Sequence, residues 1–258
     1  MAIGELVTAA RIRGDLRALG VQPGSVLMVH TSMSRIGFVP GGAQAVIEAL
    51  LGVLGPDGTL VMPAFSASIT DPQFWTNPPV PECWWPTIRE HTPAFDSART
   101  PTRMLGAVAE LFRTCPGVRR SSHPHNSVAA HGPKTAAIIE QHSLEHGMGE
   151  ASPLARLYDL DSTVLLLGVD HSNNSAIHLA EHRAEFPGKR NVTEGAPLDN
   201  GWTEFESLHY NGDDFAEIGA AFGGRATHGT VGSANAQFMS QRAIVDFAAT
   251  WMTEHRGR

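Results

Sequence analysis

From Thr8 to Leu19 apolar residues recur at helical spacing and Gly20 closes the run, which predicts an amphipathic helix. Ser25 to Thr31 is almost continuously apolar and reads as a buried strand. Gly42 to Leu54 is a second helical run, stopped by Gly55-Pro56-Asp57-Gly58, and Thr59 to Met62 is another strand. Helical spacing resumes over Thr102–Thr114 and Pro133–Gln141, and Thr163 to Val169 is again a buried strand. Trp202 to Leu208 alternates like a strand with one exposed face, and Gln237 to Trp251 reads as an amphipathic C-terminal helix. Strands alternating with helices predict an α/β fold, with a mixed or mainly parallel central sheet flanked by helices. The stretch 64–101 breaks this rhythm. It is rich in Pro and Trp and shows no clear period, so it is expected to be a long substrate loop.

No internal repeat or long linker divides the chain, so 1–258 is expected to be one domain, or two closely packed lobes. At 258 residues it can bury a sizeable core. The net charge of −7 argues against nucleic acid and anionic membranes as partners. Cys83 and Cys115 make neither a disulfide framework nor a zinc knuckle. Met1-Ala-Ile-Gly-Glu5 lacks a signal pattern and no apolar run reaches membrane length, so a cytoplasmic protein is expected.

The richest chemistry lies after the third buried strand. His178, Glu181 and His182 fall at i, i+3 and i+4, so on a helix they share nearly one face. An imidazole beside a carboxylate at a strand end can take and return a proton near neutral pH. The same letters spell H-x-x-E-H, in which His178 and His182 are zinc ligands and Glu181 the base of a hydrolase. Three other segments carry polar groups. The loop from Val29 to Gly42 offers hydroxyls, glycines and free N–H groups at a helix start, without the spacing of a nucleotide motif. Arg119 to Ser127 holds two arginines, three serines and two histidines, enough to bind a phosphate and equally typical of a polar surface loop. Asp71, Glu82, Trp84, Trp85 and Asp96 suit a polycationic, hydroxylated ligand, or form a lid packed on the core.

Taken in order, these segments resemble the aminoglycoside 3-N-acetyltransferase family, whose fold is not of the GNAT type. The matching pieces are Val29-His-Thr-Ser-Met-Ser-Arg-Ile-Gly37, Gly58-Thr-Leu-Val-Met-Pro63, Asn77-Pro-Pro-Val-Pro-Glu82 and Trp85-Pro-Thr-Ile-Arg89. Phe95-Asp96 through Thr100-Pro-Thr-Arg103, Arg120-Ser-Ser-His-Pro124 and Ser152-Pro-Leu154 follow. Leu165-Leu-Leu-Gly168 with His178-Leu-Ala-Glu181, and Val245-Asp-Phe247, complete the set, so nearly the whole chain is covered.

The resemblance implies acetyl-CoA as donor, coenzyme A as product, and the 3-amino group of a 2-deoxystreptamine aminoglycoside as acceptor, with antibiotic resistance as the outcome. His178 matches the catalytic histidine, with Glu181 or Glu206 as its carboxylate partner. His30, Thr31, Ser32, Ser34, Arg35, Ile36, Gly37 and Val39 are expected around the pantetheine and phosphates, joined by Ser122, His123 and Ser127. Asp71, Glu82, Trp84, Trp85, Asp96, Asn173 and Glu206 are expected at the drug. The Ser175 hydroxyl or backbone N–H groups are candidates for steadying the tetrahedral oxyanion. No metal is expected. The chain departs from the family at His209, where many relatives carry an Asp, at Ser175, where Thr is usual, and at His182, a position the family leaves free. A zinc hydrolase and a catalytically silent aminoglycoside-binding protein are the competing readings.

Overall fold

The central strands carry no polar alternation. In the computed structural model β1 (Val26–Thr31) and β2 (Thr59–Pro63) are buried at every position, and β5 (Thr163–Leu167) at all but its first. Strands of this kind need a helix layer on each face. Side chains alternate accordingly. Leu27, Val29, Leu165 and Leu167 enter one core, with residues of α1 (Ala9–Leu19), α3 (Gly42–Leu54) and α5 (Gly106–Phe112). Val26, Met28, Val164 and Leu166 enter the other. There they meet α6 (Thr135–Ile139), α7 (Pro153–Asp159), α8 (His178–Arg183), α9 (Phe215–Phe222) and α10 (Gln241–His255). The structure describes residues 4–257. Met1, Ala2 and Ile3, on which the signal-peptide reading partly rests, and the last residue of the expected domain lie outside them.

The seven-stranded sheet has the order β3-β4-β2-β1-β5-β9-β8, with β3 (Arg119–Arg120), β4 (Val128–His131), β8 (Thr227–Val231) and β9 (Ala234–Ser240). β2 and β5 flank β1 and run parallel to it, whereas β4 and β9 pair antiparallel on the outside. The sheet is thus mixed. The chain leaves β1 through the short helix α2 (Met33–Ile36) and α3 towards β2, while β5 lies on the opposite side of β1. Such a switch point opens a crevice beyond the carboxyl ends of the two strands, where α/β sheets bind ligands. A separate hairpin, β6 (Asn191–Leu198) with β7 (Gly201–Leu208), pairs residue for residue from Asn191↔Leu208 to Leu198↔Gly201.

Local chemistry sets the helix ends. Thr8 accepts from the Arg11 N–H at the start of α1, and Gly20 ends it at φ 111°, a backbone region that favours glycine. Two expectations are corrected. The C-terminal helix begins at Gln241, capped by Ser240, because Ala234–Ser240 pairs as a strand between β5 and β8. The stretch 64–101 is not wholly irregular: it holds three 3₁₀ turns and the helix α4 (Trp85–His91). No residue of α4 is fully buried, so no apolar stripe marks it in the sequence.

Candidate active site

β5 hands the chain to the site through Gly168, at φ 70°, where a Cβ would meet the Arg35 side chain at 2.7 Å. Two 3₁₀ turns follow, capped by the side chains of Asp170 and Asn174, and α8 begins at His178. Leu179 and Ala180 anchor this helix in the core, which fixes the directions of its other residues. His178 Nδ1–H donates to Glu181 Oε2 at 2.6 Å, and Glu181 is wholly buried. Glu181 Oε1 accepts from the Asn211 N–H at 2.9 Å and from Arg256 Nη1 at 2.8 Å. Burial works to raise the Glu181 carboxyl, but His178, Arg256 and the Asn211 N–H outweigh it and hold the group below the usual carboxylate range. A carboxylate on Nδ1 fixes the tautomer, leaving Nε2 of the neutral imidazole with its lone pair. No protein group takes Nε2 among the described residues, and the ring is packed by Tyr210 and Phe215 at 5.2 and 4.8 Å between centroids.

Of the two carboxylates weighed for this role, the structure puts Glu181 on His178. Glu206 is half-exposed on β7 and lies 3.2 Å from His146 Nε2. The zinc arrangement does not form either. His182 turns its Nε2 to the Tyr210 hydroxyl at 2.9 Å, both Glu181 oxygens are committed, and burial pushes His182 down to about 4. Among the described residues no group of three His, Cys, Asp or Glu side chains is arranged to hold a metal.

Three cavities lie in the surrounding protein, and neither His178 nor Glu181 lines any of them. The first, about 420 Å³, opens at the switch point and is walled by His30, Thr31, Ser32, Ser34, Asn173 and Ser175. The second, about 530 Å³, shares Ser32 and Asn173 with it and adds Arg35, Asp170 and Gln237. The third, about 630 Å³, is bounded by Phe65, Asp71, His125, Glu194 and Tyr210, with Arg190 beside them. His178 reaches the first and third only through its neighbours: Ser175, one turn before it, lines one, and Tyr210, edge-on to its ring, lines the other. His30 continues the Val26–Met28 row of β1 and so faces the α8 side of the sheet. Burial, reinforced by the His178 and His171 rings, pushes His30 down to about 3 and keeps it neutral. Its Nε2 and the Thr31 hydroxyl are buried without a hydrogen-bond partner among the described residues.

The remaining expected residues are dispersed. Ile36 and Val39 are buried in the core, and Gly37 at φ 108° passes so close to Glu5 O that a Cβ would sit 2.7 Å away. His123 and Ser127 face inward, contrary to their expected place at the cofactor. His123 Nδ1 accepts from the His125 and Asn126 N–H groups, and Ser127 Oγ joins Arg120 to Ala64 O. These side chains already hold the loop, so they are not free for a phosphate. Ser122 is exposed and lines a different depression with Phe95 and Arg120. Asp71 borders the third cavity, but its carboxylate is gripped by Arg89 through Nε at 3.1 Å and Nη2 at 2.8 Å. Asp96 closes its own turn and pairs with Arg99 at 2.6 Å. Glu82, Trp84 and Trp85 sit at the start of α4, outside the lining of the third cavity.

Sequence reasoning reached His125 only as part of the polar segment Arg119–Ser127, and missed Glu194, Tyr210 and Arg256. His125 Nδ1–H donates to Glu194 Oε2 at 2.7 Å at the edge of the third cavity. Recognising β6 as a strand offered one signal, since Val192 and Glu194 then point the same way. Arg256, beyond the end of α10, had none.

The Aminoglycoside 3-N-acetyltransferase family matches residues 28–253. The SPbeta prophage-derived aminoglycoside N(3')-acetyltransferase-like protein YokD of Bacillus subtilis is 46% identical over 253 residues, covering 95% of this chain and 92% of YokD. The crystal structure of YokD superposes with a TM-score of 0.94 at 44% identity, over 97% of this chain and 95% of that one. The binary complex of AAC-IIIb with CoASH gives 0.87 at 33% identity, over 98% of both chains. AAC-VIa bound to sisomicin gives 0.86 at 27% identity, over 98% of this chain and 100% of that one. The chain belongs to the aminoglycoside 3-N-acetyltransferase family of acyltransferases.

Proposed function

We propose that this enzyme N-acetylates the 3-amino group of a 2-deoxystreptamine aminoglycoside by direct transfer from acetyl-CoA, with His178 as general base. The observation that carries the reading is the His178–Glu181 dyad, whose neighbour Ser175 lines the cavity at the switch point and whose ring neighbour Tyr210 lines the third cavity. Acetyl-CoA supplies an activated thioester. The first two cavities fit such a donor: they offer the Ser32 and Ser34 hydroxyls and Arg35, for which the described residues show no carboxylate partner. The CoASH complex of AAC-IIIb supports the same donor here, and the sisomicin complex of AAC-VIa supports an aminoglycoside acceptor. The third cavity would take that acceptor, with Asp71 and Glu194 at its wall.

A deoxystreptamine amine is largely protonated at neutral pH and cannot attack until it loses a proton. That first proton leaves to solvent; as the free amine attacks the thioester carbon, His178 Nε2 accepts a second N–H proton, Glu181 steadies the imidazolium through Nδ1–H, and this proton passes to the sulfur as the C–S bond breaks, giving the amide and coenzyme A. Ser175 and neutral His30, both on the donor cavity, are placed to donate to the developing oxyanion. Holding amine and donor together lowers the entropic barrier, so no acyl-enzyme is invoked. We assign the whole span 1–258 to one domain, supported by a seven-stranded sheet whose strands are drawn from Val26 to Ser240. A cytoplasmic site of action, where acetyl-CoA is available, accompanies this reading; no helix among the described residues is long and apolar enough to cross a membrane.

Thiol release from acetyl-CoA against a panel of deoxystreptamine aminoglycosides and simple primary amines tests the proposal. Turnover with the aminoglycosides is expected. Tight drug binding without thiol release would instead mark a binding protein, and turnover confined to simple amines would reject the drug as acceptor.

A further inference from the structure

Glu181 has no exposed surface, and a carboxylate in that position requires a counter-charge. Within the dyad His178 can supply one only by holding a proton, which disables it as a base. Arg256 offers another source. Its Nη1 donates to Glu181 Oε1, the oxygen that His178 leaves free. The guanidinium is itself clamped. Nε and Nη2 fork onto Asp214 at 2.7 and 2.6 Å, Nη2 also reaches Asn211 O at 2.6 Å, and the group lies 4.9 Å from the Phe186 ring centroid. Asn211 closes the arrangement by donating its N–H to the same Glu181 oxygen. Asp214, Asn211 and Phe186 together hold the cation against the carboxylate.

We propose that Arg256 is a positioning residue of the acyl transfer: it neutralises and orients Glu181, so that His178 keeps the right tautomer without remaining protonated. The segment following α10 is thereby part of the catalytic apparatus. This rests on His178 being the base. Without Arg256 the uncompensated Glu181 charge draws a proton onto His178 and holds it there. The other titratable groups around the dyad are His30 on β1, His182 on α8, Tyr210 after β7 and Asp214 before α9. Of these only Asp214 is anionic, and losing Arg256 frees its charge too, which pushes His178 in the same direction.

The test uses the full-length enzyme with Arg256→Gln and Arg256→Lys, read by kcat, both KM values, the pH profile and thermal unfolding. Arg256→Gln is expected to lower kcat at neutral pH about 10- to 100-fold, by analogy with the loss of a partner behind a metal-bound histidine. The KM for acetyl-CoA should stay unchanged and the acid limb of the kcat profile should move to higher pH. Methylguanidinium in the assay should restore part of the activity, and Arg256→Lys should fall between the variant and wild type. A purely structural ion pair predicts a lower unfolding temperature with kcat and pH profile intact, and that result overturns the proposal. If Arg256→Gln does not fold, Arg256→Lys decides: an unmoved acid limb and unchanged kcat reject the role. His178→Ala separates the two levels. Activity in His178→Ala means that the base assignment has failed, whereas an inactive His178→Ala beside a fully active Arg256→Gln removes only the role of Arg256.

Discussion

His178 and Glu181 stand one helical turn apart on α8 and are joined by a hydrogen bond of 2.6 Å from Nδ1–H to Oε2. The bond leaves the imidazole's other nitrogen as an acceptor. His178→Ala should therefore lower turnover by at least about 10²-fold, since removing a general base typically costs ~10² to 10⁴. Acetyl-CoA should still bind, as judged by calorimetry. Glu181→Gln should lower kcat with little change in either KM. Near-normal turnover in His178→Ala would end the assignment.

The acceptor cavity gives a second expectation. Asp71 is buried and clasped by Arg89, whereas Glu82 is exposed and outside the cavity lining. Asp71→Asn leaves Arg89 without its partner, so it should lower the unfolding temperature and raise the acceptor KM together. Glu194→Gln should raise the acceptor KM while leaving that for acetyl-CoA alone. Glu82→Gln and Asp96→Asn should have small effects, since exposed pairs contribute only ~0–1 kcal/mol. A steady-state salt series on these variants checks the pattern; an acceptor KM indifferent to salt and to all four substitutions argues for a neutral acceptor.

Stability should fall on the acid side of neutrality. His30 is neutral in the folded protein down to about pH 3, whereas in the unfolded chain it binds a proton below its ordinary value of 6.5. The unfolded state therefore holds more protons between those limits, and stability rises with pH across that window. The slope from one such group is up to ~1.4 kcal/mol per pH unit. His142, pushed down to about 4 mainly by burial, acts in the same direction. Denaturant unfolding at pH 7, 6 and 5 on wild type and His30→Gln should show a steeper loss in wild type. Parallel curves would count against a buried neutral His30.

Activity should survive exhaustive chelation. His182 Nε2 is engaged by Tyr210, and both Glu181 oxygens are used within the protein, so the H-x-x-E-H residues do not converge. Metal analysis of the purified enzyme and assays after chelator treatment provide the check. Activity lost on chelation and regained with zinc would return these residues to a metal role.

The local pattern of residues was enough to determine the parallel heart of the fold. Leu27 and Leu165 lie in strands without polar alternation, and Thr8 and Gly20 bracket a helix by capping chemistry that needs no distant partner. The spacing of His178 and Glu181 likewise guarantees that they meet once a helix forms there. What depended on distant partners was not legible. Ala234–Ser240 became a strand because β5 and β8 lay beside it, α4 formed with no buried face to announce it, and Glu206 turned to His146. Arg256 reached Glu181 across 75 residues of chain. Hydrophobic period and capping are properties of neighbours in sequence. The pairing of buried charges depends on which segments packing brings together, and only the tertiary structure decides that.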